Sequence, residues 1–548
     1  MRIHLPQKAL SIEVSVLAIV VLAAVPMTPQ RTTESNTSLF LPVVTYDPAG
    51  QSLSVAVADV NEDDKLDLLV ANACIAVPGS DHNSDCAEGS ISVLLGKGDG
   101  TFQSAVSYKS GGGIASWLAA ADVNRDGKRD MLVANCGPIG INTCGLGDGD
   151  VGVLLGNGDG TFAPVVTYAS GGIAAESVAV ADVNGDGKPD LLVRNTCGIS
   201  STCHPGSVGV LLGNGDGTFQ AAATYPSGMR QATALAVADV NGDGESDLLV
   251  GADSNGNNLG ALLGNGDGTF RSVVTFNSGG NTVLSIAVAD VNGDRKVDLL
   301  VGNQCDTSID CAHGSVGVLL GNGDGTFKSA VSYNPGGTGS WAVAVADVNG
   351  DGKLDALAAN FFYSTVGALL GNGDGTFQTA ITYSPGGMFP RSLAVANLNG
   401  DGKPDVAVAN FCGASPNCLP GKLGVLLNNA ADTTPPAITL PAFPRVLWPA
   451  NRQLVPVIIF GTITDVGLGV KAGSATYAVK DEYGKVQPKG HIRLDDDGKF
   501  RFNVVLLASR RSSDLNGRQY TITIRAKDYA GNAASKTGYV IVPHGMNH

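Results

Sequence analysis

Asp182, Asn184, Asp186 and Asp190 occupy positions 1, 3, 5 and 9 of one short segment, and Gly187 occupies position 6. Oxygen-bearing side chains at alternate positions turn towards the inside of a tight loop. A glycine at the sixth position allows the left-handed backbone that such a loop needs. This set suits capture of a hard divalent cation. Calcium takes about six to eight oxygens from carboxylates, amides and backbone carbonyls. Three carboxylates a few ångströms apart repel strongly unless a cation sits among them. The competing reading is an Asx-rich turn that ties down its own backbone and holds no ion.

The same spacing recurs in six further places. The sets are Asp59, Asn61, Asp63 and Asp67; Asp122, Asn124, Asp126 and Asp130; and Asp239, Asn241, Asp243 and Asp247. They continue with Asp290, Asn292, Asp294 and Asp298; Asp347, Asn349, Asp351 and Asp355; and Asn397, Asn399, Asp401 and Asp405. Seven copies favour calcium over the bare turn, with up to seven Ca²⁺ bound. Asp64 and Arg295 replace the turn glycine, and Asn397 removes a charge. The loops starting at 59, 290 and 397 are therefore expected to bind more weakly than those at 122, 182, 239 and 347. The AsnGlyAspGly segments, with Asp159 and Asp216 among their acids, read as hairpin chemistry, because one carboxylate among glycines is no ligand set.

The ten cysteines fall into five close pairs: Cys74 and Cys86, Cys136 and Cys144, Cys197 and Cys203, Cys305 and Cys311, Cys412 and Cys418. Five local disulfides are expected, as in an exported protein; each loop offers only two thiolates, too few for a metal site. His82, His204 and His313 lie in or beside these loops but in repeats that are not neighbours, so one shared centre is not expected. No GxSxG, HExxH or phosphate-cradling loop occurs in the chain. Carboxylate-only chemistry leaves no local motif.

These groups need elements to hold them. The acidic loops start 50–63 residues apart, and a second block, LeuLeuGlyAsnGlyAspGlyThrPhe at 154–162, recurs in step with them. Each unit reads as four short strands: in the third unit, 177–183, 190–195, 207–213 and 219–225. No long segment has an apolar period of 3.6. Four strands per repeat at this period match a propeller blade. The segment 40–46 reads as a fourth strand with none before it, and the last unit lacks its fourth. The expectation is an all-β, seven-bladed propeller over 40–430, sewn shut by the N-terminal strand. After a linker at 431–437, the alternating strands of 438–545 suggest a β-sandwich. Asp495, Asp496 and Asp497 there read as a solvated turn.

Of the 548 residues 74 are glycine and 16% are charged, and the formal net charge is −15. A surface for nucleic acid is excluded on charge. Arg2 and Lys8 precede an apolar run from Val14 to Val25, which reads as a secretory leader within 1–30, too short for a mature membrane span, with an uncleaved N-terminal anchor as the alternative. A secreted or cell-surface location follows.

The paired blocks resemble FG-GAP (VCBS-type) repeats, the propeller family that includes the integrin α-subunit head. The tail domain resembles bacterial Ig-like domains. The first resemblance implies a propeller with calcium in the loops between strands one and two, and it fixes no activity. Alternation of strand direction puts calcium loops on one face and disulfide loops on the other. The second face varies between units, and there Trp117, Trp341, Phe361, Phe362, Tyr363, Arg230 and Arg391 are candidate contacts for a glycan or protein ligand. The alternative for these rings is that they plug the channel or pack between blades. A calcium-stabilised adhesion or binding protein without catalysis is the expectation. A carbohydrate-active enzyme (a polysaccharide lyase or hydrolase), or its non-catalytic subunit, is the runner-up.

Overall fold

A computed structural model describes residues 38–75, 88–137, 148–198, 205–253, 256, 258–306, 313–413, 420–429, 435–440, 446–447, 451–464, 470–471, 473–495, 498–509, 511, 513, 517–527 and 532–543. The leader at 1–30, most of the linker, Cys86, Cys144, Cys203, Cys311, Cys418, His82, His204, Asp496 and Asp497 lie outside the described residues, as does the side chain of Cys74.

The described residues are all-β. Alternating Val and Ala make the first strand of each repeat, such as Ala232–Ala238 and Ser340–Ala346. The second strands read AspLeuLeuVal or close to it and are buried on both faces, as in Asp247–Ala252. Continuous apolar runs are what a strand needs when a neighbouring sheet covers each side. Antiparallel pairing of four successive strands gives the separate sheets of blades 1, 4, 5 and 6.

Two departures from a simple repeat matter. Val166–Ala181 is one unbroken strand of 16 residues. Its first part closes blade 2 and its second part opens blade 3, so these blades share a seven-stranded sheet. The SerGlyGly connector at 170–172 stays extended within it. In blade 7 the fourth strand is Val44–Tyr46, paired with Lys422–Leu426 at Val44↔Val425. The N-terminal segment therefore closes the ring as expected, with Phe40 bridging Asn428. The first strands pack each against the next, and the last against the first.

A repeated aromatic contact joins the blades. The fourth-strand ring of one blade meets, edge to face, the turn Phe of the next: Tyr108 on Phe162, Tyr168 on Phe219, Tyr225 on Phe270, Phe276 on Phe327 and Tyr333 on Phe377. The N-terminal segment supplies both missing rings at the seam, Tyr46 against Phe102 and Phe40 against Tyr383. Such a pair contributes about 0.5–1.5 kcal/mol beyond its buried area. Seven apolar clusters, one at each junction, complete the core.

The tail forms two sheets around a core of its own. One contains Ala437–Thr439, Leu454–Thr464 and Lys499–Leu507; the other contains Thr476–Asp481, Lys489–His491, Arg518–Lys527 and Ala533–Val542. Inside it Arg518 Nη2 lies 2.6 Å from Asp481 Oδ2, with neither side chain exposed. Burial alone would raise the Asp481 carboxyl. Hydrogen bonds from Arg518 and from the amides of Tyr483, Val486 and Lys485 outweigh it and hold the group at about 2. Asp495 accepts a hydrogen bond from the Lys499 amide, a turn role.

Among the described residues no helix is long and apolar enough to cross a membrane.

Candidate functional site

Each innermost strand has a chemically distinct feature at either end. At the end leading into the second strand, the acidic loops fold alike. The first-position carboxylate accepts from the amide at position 6: Gly127 N to Asp122 at 2.8 Å, Gly187 N to Asp182 at 2.7 Å, Gly352 N to Asp347 at 2.7 Å. The fifth-position carboxylate accepts from the amide at position 7, as Lys128 N does to Asp126 at 2.9 Å. Position 6 is left-handed in all seven loops, including Asp64 at φ 60° and Arg295 at φ 65°. Position 4 is left-handed too, with Glu62 and Arg125 among its residues, a demand that the spacing of the acids did not reveal.

The ninth-position Asp lies beneath each loop and is fully buried in all seven copies. One oxygen accepts from the amide at position 2, and the other from the amide that opens the turn after strand three. For Asp67 the donors are Val60 and Gly96, at 2.9 and 2.8 Å; for Asp405 they are Leu398 and Asn428, at 2.8 and 2.7 Å. Burial pushes the carboxyls of Asp355 and Asp405 up to about 6, while the amide donors pull the other way. These residues tie the two turns on this face together. The turn acids Asp159 and Asp216 each accept from the amide and hydroxyl of a nearby Thr, the hairpin role expected.

Among the described residues no three His, Cys, Asp or Glu side chains gather as a metal shell. The carboxylates at positions 1 and 5 face their own backbone amides, and Lys65 and Lys188 pair with Asp63 and Asp186 at 2.9 and 3.0 Å. The donors on offer are hard oxygens, the type calcium takes, and an amide bond leaves a carboxylate oxygen further lone pairs. In the seventh loop, Asn397 Oδ1 is buried with no hydrogen-bond partner, an oxygen still available to a ligand.

The other end of the innermost strands builds a cavity of about 450 Å³ on the propeller axis. In every blade the pairing of strands one and two skips one residue, a β-bulge. The skipped residues are Leu53, Ser116, Glu176, Thr233, Leu284, Trp341 and Arg391, and all seven line the cavity. A bulge re-aims one side chain without breaking the strand. Each bulge lies six residues before its loop's first-position residue. That column could have been found from the repeats, because Leu, Ser, Glu, Thr, Leu, Trp and Arg differ there while the loop acids hardly vary.

The expected contacts divide. Trp117, Trp341 and Arg391 line the cavity. Phe361 lies behind them, 4.5 Å from Trp341 between ring centroids and 5.0 Å from Phe389. Phe362 and Tyr363 are 51% and 62% exposed outside it. Arg230 is exposed on its loop and does not join the cavity wall. Glu176, Arg194 and Phe411 belong to the wall and were not singled out from the sequence. Arg194 donates to Glu176 at 2.8 Å and to the Ala232 carbonyl at 2.7 Å.

Cys136, Cys197, Cys305 and Cys412 end second strands at this face, and none of the described cysteines is a free thiol. Cys136 Sγ lies 2.9 Å from the hydroxyl of the bulged Ser116. His313 is exposed beside its loop.

The FG-GAP-like repeat family matches six stretches: residues 79–133, 142–193, 199–250, 239–301, 308–358 and 347–408. Solved structures with a similar fold include the periplasmic gluconolactonase PpgL of Pseudomonas aeruginosa, 17% identical, covering 61% of this chain and 85% of its own, with a TM-score of 0.41. The exotype rhamnogalacturonan lyase YesX is 14% identical, covers 70% and 76%, and has a TM-score of 0.43. The BP39L lectin from Burkholderia pseudomallei is 11% identical, covers 71% and 98%, and has a TM-score of 0.48. No curated protein matches the chain.

Proposed function

The chain belongs to the FG-GAP-like repeat family, and on that footing we propose that it is a secreted or cell-surface binding protein whose propeller recognises a glycan or protein ligand through the disulfide-loop end of its axis. The axial cavity carries this reading. Seven bulges aim seven side chains of six types into one concave site, whose wall includes two indoles, the bulged Trp341 and the neighbouring Trp117. A pocket of a few hundred cubic ångströms with aromatic walls and a few polar groups is the ordinary form of a small-ligand site.

Calcium, in up to seven of the acidic loops, would brace the opposite end; the recurrence of an all-oxygen donor set and the unpartnered Asn397 oxygen support this. The sets starting at positions 59, 122, 182, 239, 290, 347 and 397 would hold the ions, and calcium would supply charge neutralisation and no chemistry on the ligand. Local disulfides would pin the variable loops around the cavity mouth, and the tail, read as an Ig-like sandwich, would act as a spacer or second contact. Glycoside hydrolysis by its usual route needs two carboxyl groups flanking the bond. Among the described lining residues the cavity has one, Glu176, already engaged by Arg194.

A glycan array run beside a polysaccharide-degradation assay, each with and without EDTA, tests the proposal. Retention of glycans without depolymerisation is the expected result. Turnover would establish the enzyme instead, and neither binding nor turnover would sink the glycan reading.

A further inference from the structure

The charges around the cavity are unequal. Its wall contains Arg194, Arg391 and Glu176, so it carries one net positive charge within a chain of formal net charge −15. Arg194 donates through its two Nη atoms to Glu176 and to a backbone carbonyl, with only its Nε left buried and without a partner. The Arg391 guanidinium carbon lies 4.8 Å from the ring centre of Trp341, 4.8 Å from that of Phe411 and 5.4 Å from that of Phe361. Its Nε is buried with no hydrogen-bond partner. Burial lowers the guanidinium to about 10, with Glu176 opposing, so it remains charged at neutral pH. Aromatic faces stabilise a cation but accept no in-plane hydrogen bonds. A guanidinium fixed between rings therefore keeps its planar donors for a guest, and the guest that matches them is a carboxylate.

We infer that the axial cavity takes a carboxylate-bearing sugar, a uronic acid residue at a chain end or as a free monosaccharide, with its carboxylate on Arg391 and its ring beside Trp341. The inference rests on the binding reading above and specifies the ligand class. Trp341 lines the cavity beside Arg391 and contributes apolar wall for the sugar ring. Glu176 disfavours a second negative charge on the same side of the cavity, so singly charged sugars are preferred over sulfated or doubly acidic ones.

Calorimetric titration of the full-length protein with galacturonate and glucuronate, against galactose and glucose, tests this. Uronates are expected to bind and their neutral counterparts to bind at least about tenfold more weakly, the size of a lost charge-assisted hydrogen bond. Arg391→Gln should reduce uronate affinity by about ten- to a hundredfold, and by more than it reduces any affinity for neutral sugars. Glu176→Gln should tighten uronate binding about three- to tenfold, which keeps the inference exposed if Arg391→Gln does not fold. Equal affinity for acidic and neutral sugars, or a Glu176→Gln variant that does not tighten uronate binding, overturns the inference and leaves the binding reading standing. No binding of any sugar, here or on the array, overturns this inference and the glycan reading together.

Discussion

The two ends of the innermost strands were built from one repeat and treated differently. At the acidic-loop end the ninth position is Asp in all seven blades, and each copy accepts two backbone amides while fully buried. At the bulge end no two neighbouring blades share a residue. The reason is geometric. A buried carboxylate that must satisfy two amides from different turns has no substitute of the same shape and charge. A bulge asks only that one side chain leave the ladder, and any side chain will do. Constraint therefore collects at one end of the ring and chemical variety at the other.

The comparison can be broken most sharply with a chelator. If the acidic loops hold calcium, each loop at a hundred times its dissociation constant contributes about 2.7 kcal/mol, so EDTA should lower the melting temperature more than any single substitution does. Elemental analysis without calcium, together with a melting curve indifferent to EDTA, would leave the loops as bare turns.

A single substitution at each end comes next. Asp405→Ala strips the Leu398 and Asn428 amides of their acceptor and should cost about 3–5 kcal/mol in urea unfolding. Leu284→Ala at the bulge end should cost less than about 1 kcal/mol, because that side chain is only half-buried at the cavity wall. Equal costs would refute the division of labour.

The tail domain extends the contrast to acid. Asp481, held at about 2 against an ordinary value near 3.8, contributes on the order of 2 kcal/mol above pH about 4. That contribution is lost as the pH falls from about 4 through about 2, because the unfolded chain binds the proton more readily. Asp481→Asn should remove this acid-sensitive portion, read by the tail's own transition in a pH series.

A further small effect sharpens the loop end. Arg295→Gly relieves a left-handed arginine and should stabilise by about 1 kcal/mol. It should also raise calcium occupancy of that loop, which site-resolved titration would report. The loops starting at 59, 290 and 397 filling first would contradict the ordering expected from their residues.

Repetition made most of the ring legible. Loop acids, turn glycines and paired strands recur at short range, so local spacing reports them directly, and the unpaired segment at 40–46 announced the closure. The aromatic junctions and the unbroken strand Val166–Ala181 were not read, because both depend on a neighbouring blade. Of the cavity, Trp117, Trp341 and Arg391 were named for lying on the variable face, whereas Glu176 and Arg194 look like ordinary strand charges in one dimension.

The order of the residues by itself determined the repeat, the strand count, the loop chemistry and the acidic balance, since each follows from side chains within a few positions of one another. Only the closed ring decided which residues face the axis together. Leu53 and Arg391 are 338 positions apart, yet both line one cavity because seven blades return the chain to its start. That juxtaposition has no local signature: it depends on a bulge in each strand and on the circle the strands complete.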